Sequence, residues 1–140
     1  MNGFLLDTNV ISELIKSKPD NNVLHRIDET EETILFLSVL TLGEVRHGIE
    51  RLHPGKRRGR LESWLTVDLR LRFQDRILTV SEAIAERWGA LSARGAKKGR
   101  PVPVIDGLLA ATALHHDLML VTRNDTDVTG TGVPTLNPWR

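Results

Sequence analysis

Acidic residues recur in this chain where an apolar run gives way to polar sequence, and carboxylates so placed are its best candidates for chemistry. Asp7 follows Phe4-Leu5-Leu6, and Glu44 comes shortly after Ile34-Leu35-Phe36-Leu37-Ser38. Asp106 follows Pro101-Val102-Pro103-Val104-Ile105, and Asp125 and Asp127 follow Leu118-Met119-Leu120-Val121-Thr122. Each acid has an ordinary structural alternative. Asp7 could cap a helix. Thr41-Leu42-Gly43-Glu44 fits a capping box. Asp106 could offset a helix macrodipole, and Asp125 and Asp127 could make local turn bonds. Their joint placement argues for more. Like charges brought together cannot all stay ionised unless a cation neutralises them. Carboxylates with water select hard cations such as Mg²⁺ or Mn²⁺, and those ions activate water for phosphodiester hydrolysis.

Such a cluster needs elements that deliver each acid to one place. The apolar runs at 4–6, 34–38, 76–80 and 118–122 read as short buried strands, and 132–138 is extended enough to add a fifth. Helical spacing follows Asp7, follows Asp20, and opens at Thr41 with Leu42, Val45 and Ile49 on one face. A basic amphipathic helix is expected over 57–74, another begins at Ser81 with Ile84, Trp88 and Leu91 inward, residues 95–103 read as a loop, and Val104–His116 is a helix. Strands alternating with helices imply βαβ units and a mostly parallel sheet covered on both faces. In such sheets ligands bind beyond the carboxyl ends of the strands. The dense small and apolar residues after Asp106, Gly107-Leu108-Leu109-Ala110-Ala111-Thr112-Ala113, place that acid at the start of a buried helix, where a charge is costly.

The chain has 140 residues, enough for one sizeable core and too few for two. With 40% apolar and 26% charged residues it reads as an ordinary soluble domain. The absence of cysteine excludes disulfides and thiolate chemistry and fits a reducing cytoplasm. No signal peptide or membrane-spanning run is expected. Net charge is only +1, yet Lys56-Arg57-Arg58-Gly59-Arg60 and Arg94-Gly95-Ala96-Lys97-Lys98-Gly99-Arg100 are basic clusters. The second reads as a loop that could guide nucleic acid, with solvated charge as the alternative. Trp64 and Trp88 have helical-face spacing that assigns them to core or interface.

Five stretches together resemble a known family. Leu5-Leu6-Asp7-Thr8-Asn9-Val10-Ile11-Ser12-Glu13 comes first, then Leu42-Gly43-Glu44-Val45-Arg46-His47-Gly48, then Asp106 to Ala113, then Thr122-Arg123-Asn124, and last Leu136-Asn137-Pro138-Trp139. They look like a PIN-domain ribonuclease, specifically a VapC toxin of type II toxin–antitoxin pairs in the FitB-like branch. The resemblance runs from about residue 3 to the end. It implies an α/β PIN-like fold, a central mostly parallel sheet of four to five strands with helices on both faces, as a single domain over 1–140. It implies an endoribonuclease using Mg²⁺, or Mn²⁺. Asp7 and Asp106 match the two principal metal ligands, Glu44 the third acid, and Thr8 a supporting hydroxyl. Where some relatives carry an aspartate after Thr-Arg, this chain has Asn124, whose amide could still orient a water. Asp127 could complete the acidic set through the turn, and Asp125 is a weaker candidate. Arg123, at the same edge, could hold an RNA phosphate, with a surface ion pair as the alternative. The resemblance further implies a cytoplasmic homodimer. It implies a small VapB-like antitoxin that blocks the site, a heterotetramer or larger complex with it, and DNA contact only through the antitoxin.

Other chemistries fit less well. A phosphatase using Asp7 as nucleophile needs a second aspartate two residues on, where Asn9 stands. A phosphoacceptor domain needs acids before its strand-end aspartate, where Phe4, Leu5 and Leu6 stand. A PIN-fold binding module with weak or no nuclease activity, acting through its antitoxin complex, is the remaining alternative.

Overall fold

The computed structural model describes Met1–Arg140 in full. Five parallel strands form one sheet in the order β3-β2-β1-β4-β5. They are β1 (Gly3–Leu6), β2 (Leu35–Ser38), β3 (Ile77–Leu78), β4 (Leu118–Val121) and β5 (Thr135–Leu136). Between β1 and β2 lie helices α1 (Thr8–Leu14) and α2 (Asn21–Asp28). Between β2 and β3 lie α3 (Val39–Glu50), α4 (Lys56–Ser63) and the short α5 (Arg70–Arg72). Between β3 and β4 lie α6 (Glu82–Lys97) and α7 (Val104–His116). The expected α/β architecture is therefore present, with every strand pairing parallel.

Alternation along the strands divides the core. Leu6, Leu35, Leu37 and Val121 point to one face and meet Val10, Ile11, Val23, Ile27, Leu42 and Ile49 of α1–α3. Leu5, Leu118 and Leu120 point to the other and meet Leu109, Ala110 and Ala113 of α7. A sheet buried on both faces needs strands that are apolar throughout, which explains why β1, β2 and β4 show no polar alternation. The chain leaves β1 in one direction through β2 to β3, then returns past β1 to β4. The order reverses between β1 and β4, so the crevice where such sheets bind ligands opens at the ends of these two strands.

Four expected boundaries move, each for a physical reason. The helix after β2 starts at Val39, not Thr41, because Ser38 at the strand's end already caps it, its Oγ accepting from Leu40 N at 3.0 Å. The helix expected over 57–74 is interrupted by a π-helical turn, Trp64–Leu69. Leu61, Leu65, Leu69 and Phe73 recur every fourth residue. At about 3.6 residues per turn such a row drifts around an α-helix, whereas a wider turn keeps it nearly in line. Leu65, Leu69 and Phe73 are accordingly all buried. Residues 95–97 belong to α6 rather than a loop. The chain doubles back so closely there that a Cβ on Gly95 would lie 2.6 Å from Arg100 O. The strand expected at 76–80 is reduced to Ile77–Leu78 at the sheet's edge.

Gly3 sets where β1 begins. Its φ of +145° is one that side chains rarely adopt, and a Cβ there would sit 2.5 Å from Ile34 O. Gly3→Ala is expected to lower stability by about 3 kcal/mol, strain and clash together, read as a lower urea midpoint with an unchanged m-value.

Candidate functional site

Asp7 stands at the carboxyl end of β1 and caps α1. Its Oδ1 accepts from Thr8 N at 2.7 Å. Its Oδ2 accepts from Thr122 Oγ1 at 2.7 Å and from Asn9 Nδ2 at 3.4 Å. Ordinary caps serve the second or third helical N–H. Asp7 serves only the adjacent one, and its other oxygen faces across the crevice to the end of β4. The residue is 5% exposed. Burial pushes its carboxyl above the usual range, and the hydrogen bonds from Thr122 and Thr8 oppose that only in part.

Glu44 reaches the same place from α3. With Ser38 as the cap, no capping box forms at Thr41. Glu44 Oε1 instead accepts from Thr8 Oγ1 at 2.5 Å, and Thr8 Oγ1 is 3.4 Å from the hydroxyl of buried Thr41. The Thr8 hydroxyl therefore ties the helix after β1 to the helix after β2.

Asp106 lies in the first turn of α7, whose own cap residue, Pro103, offers no side-chain bond. Its carboxyl is pushed up to about 6 by burial first, then by the charges of Asp7, Asp127 and Glu44. No hydrogen bond compensates. Asp106 thus feels three acids from separate elements across the β1–β4 crevice. No three of the four close around a single point. The donor set is all oxygen and partly buried, and a divalent cation would relieve the charge that disturbs Asp106. The residues fit a hard cation.

An open cavity of about 400 Å³ covers these groups, with Asp7, Thr8, Glu44, Asp106, Arg123 and Asn124 in its wall. The Arg123 guanidinium lies 4.9 Å over the Trp139 ring rather than in an ion pair. Asn124 is fixed by its N–H donating to Thr122 Oγ1 at 3.0 Å. Asp127 is outside this wall and borders a separate hollow with Arg100, so its action on Asp106 is through charge. Asp125 turns to the C-terminal segment, 3.6 Å from Arg140 Nη1 and 3.5 Å from Asn137 Nδ2, and takes no part.

Sequence reasoning did not single out Thr122, Glu13, Lys16 or Trp139 as site residues. Thr122 closes a strand, and nothing local marks a hydroxyl that orients an acid 115 residues away. Glu13 is buried, its oxygens taken by Lys16 Nζ and Asp20 N, both at 2.9 Å. Its helical spacing from Asn9 and Lys16 was the available signal.

Comparison with known proteins agrees with this geometry. The model of the PIN domain matches residues 4–132. VapC ribonuclease Y4jK of Sinorhizobium fredii is 35% identical over 96% of both chains. Toxin FitB of Neisseria gonorrhoeae is 33% identical over 96% of this chain and 97% of its own. The crystal structure of FitAcB from Neisseria gonorrhoeae superposes with a TM-score of 0.92 at 32% identity, covering 98% of this chain and 99% of that one. This chain belongs to the PIN-domain family, in the branch that holds the VapC and FitB proteins.

Proposed function

We propose that this protein is a Mg²⁺-dependent endoribonuclease and the toxin of a toxin–antitoxin pair. The observation that carries the reading is the meeting of Asp7, Glu44 and Asp106 in the wall of one cavity, where burial, and then the charges of Asp7, Asp127 and Glu44, push Asp106 up to about 6. Asp7, Glu44 and Asp106 would hold Mg²⁺, or Mn²⁺, which when bound supplies Lewis-acid polarisation of the scissile phosphate and of the attacking water. The protein's own part is positioning. Thr122 and Thr8 N hold the Asp7 carboxylate by its two oxygens. The Thr8 hydroxyl holds Glu44. Arg123, its guanidinium 4.9 Å from the Trp139 ring and in the cavity wall, can hold a phosphate. Asn124 offers an amide to water or to a phosphate oxygen.

A cognate VapB-like antitoxin covering the site, a homodimer of this chain, and larger complexes with the antitoxin belong to the same proposal, as does residence in the cytoplasm. No helix is long and apolar enough to cross a membrane.

The purified protein is expected to cleave RNA in Mg²⁺ and to lose that activity with EDTA. Asp7→Asn is expected to abolish cleavage and leave the circular dichroism unchanged. Mapping of new RNA 5′ ends is the readout. Cleavage by Asp7→Asn at the parental rate would remove the metal mechanism.

A further inference from the structure

Beside the acidic cavity runs a second and larger one, about 890 Å³, between α4 and the C-terminal part of α1 with the segment that follows it. We infer that this trough carries the single RNA strand that leads into the acidic site. The inference rests on the nuclease reading above.

The trough and the acidic cavity share Ser12 and Lys16 in their walls, so a chain lying in one runs into the other. Its charge is the reverse of its neighbour's. Lys16, Lys18, Arg57 and Arg60 line it, and no acid does. Lys16 is held at the junction by Glu13 at 2.9 Å. Lys18, Arg57 and Arg60 form no ion pair, whereas Arg58, between the two arginines in sequence, is engaged by Glu50 and Glu62 on another side of the helix. Unpaired cations gathered in a groove fit a polyanion.

The face of α4 is more specific than charge. Arg57, Arg60, Leu61 and Trp64 recur at helical spacing, so two guanidinium groups and an indole share one stripe that fronts the trough. Trp64 packs against the core on one side and borders the trough on the other. It is also the first residue of the π-helical turn, a local widening often found at functional sites. Cations alternating with a flat aromatic surface are how proteins hold single-stranded nucleic acid without reading its sequence. The cations take phosphates and the ring takes a base. A wholly acidic peptide would use the cations but offers no planar ring to the indole. Trp64 therefore takes a role beyond the core or interface position its spacing suggested.

The test uses the full chain carrying Asp106→Asn, so that RNA is bound and not cleaved, and a short fluorescent single-stranded oligoribonucleotide titrated at several salt concentrations. Lys18→Gln, Arg57→Gln and Arg60→Gln together are expected to weaken binding at least tenfold. They should make the log–log salt slope shallower by about 2, from roughly 0.7 per lost phosphate contact on a single strand. Lys97→Gln, Lys98→Gln and Arg100→Gln remove the same charge elsewhere and are expected to change both far less. Trp64→Leu is expected to weaken binding several-fold with no change of slope. The charge variants stand alone if Trp64→Leu does not fold. Equal losses from the two charge triples would mean net charge only, and a greater loss from the second would place the strand along the end of α6. Either result overturns the trough. Unchanged RNA affinity with loss of a co-purifying protein would give the trough to that protein instead. If the trough triple binds normally while the protein with Asp106 intact cleaves RNA, the trough falls and the nuclease stands. If that protein neither binds nor cleaves RNA, both fall.

Discussion

Asp106→Asn gives a protein that, without divalent cations, melts higher than its parent near neutral pH and has lost RNA cleavage by at least about 100-fold, the upper end of what losing even an outer-shell metal partner costs. The two effects share one cause. In the fold the Asp106 carboxyl titrates at about 6, against 3.8 without its neighbours, because burial and three acids disfavour its charge. A raised carboxyl contributes stability that is fully present below about 4 and is lost as pH rises through about 6. Without divalent cations the parent should therefore lose melting temperature between pH 4 and pH 7, with buried Asp7 acting in the same direction. The asparagine variant should show a flatter profile. Asp106 is partly open to solvent, so screening holds the difference at pH 7 to the order of 1 kcal/mol. Added Mg²⁺ should raise the parent's melting temperature and leave the variant's nearly where it was. Thermal melts across pH, with and without Mg²⁺, check all of this. A variant that melts below its parent at pH 7 would mean that Asp106 serves α7 and not the acidic cluster.

The second large effect belongs to Thr122. Its hydroxyl donates to Asp7 Oδ2 at 2.7 Å, and Thr122 is 1% exposed. Thr122→Val keeps the shape and removes the donor. A buried carboxylate then loses a partner that water cannot replace, at a cost of about 2 kcal/mol near neutral pH. Asp7 also loses the larger of the two bonds that hold its carboxyl down, so the acid limb of the pH–rate profile should move up. Cleavage should fall about 10- to 100-fold. Thr122→Ser retains the O–H and should restore both the pH profile and most of the rate. A merely space-filling Thr122 would give normal cleavage for valine and a stability loss for serine, the opposite order.

How much of this could be read in the residues depended on the range over which each signal acts. Asp7 and Asp106 were legible because the apolar run before Asp7 and the small-residue helix after Asp106 are local patterns with physical periods. Glu44 was legible as an acid near a strand's end, but its role was ambiguous, because Thr41-Leu42-Gly43-Glu44 fits a capping box when read alone. Only the folded chain shows that Ser38 caps first and frees Glu44 to accept from Thr8. The π-helical turn was hidden for a related reason. A row of apolar residues four apart suits a tilted α-helix or a widened one, and the core that Leu65, Leu69 and Phe73 enter decides between them. Thr122 and the stacking of Arg123 on Trp139 were not legible at all, since each depends on which strands the topology sets side by side.

That topology also governs when the site can come into being during synthesis. β1 is the first strand made, yet β4, which flanks it in the sheet, is the last but one. The hydrogen bond that orients Asp7 spans 115 residues of chain. At roughly 5–20 residues per second, Asp7 waits on the order of 6–20 s after leaving the peptidyl-transferase centre before Thr122 exists. For that interval β1 can pair only with β2, and its other edge has no partner. A ribosome-bound fragment ending before β4 has Asp7, Glu44 and Asp106 but lacks the Thr122 that orients Asp7, so the proposed nuclease would stay incomplete until the polypeptide is nearly finished.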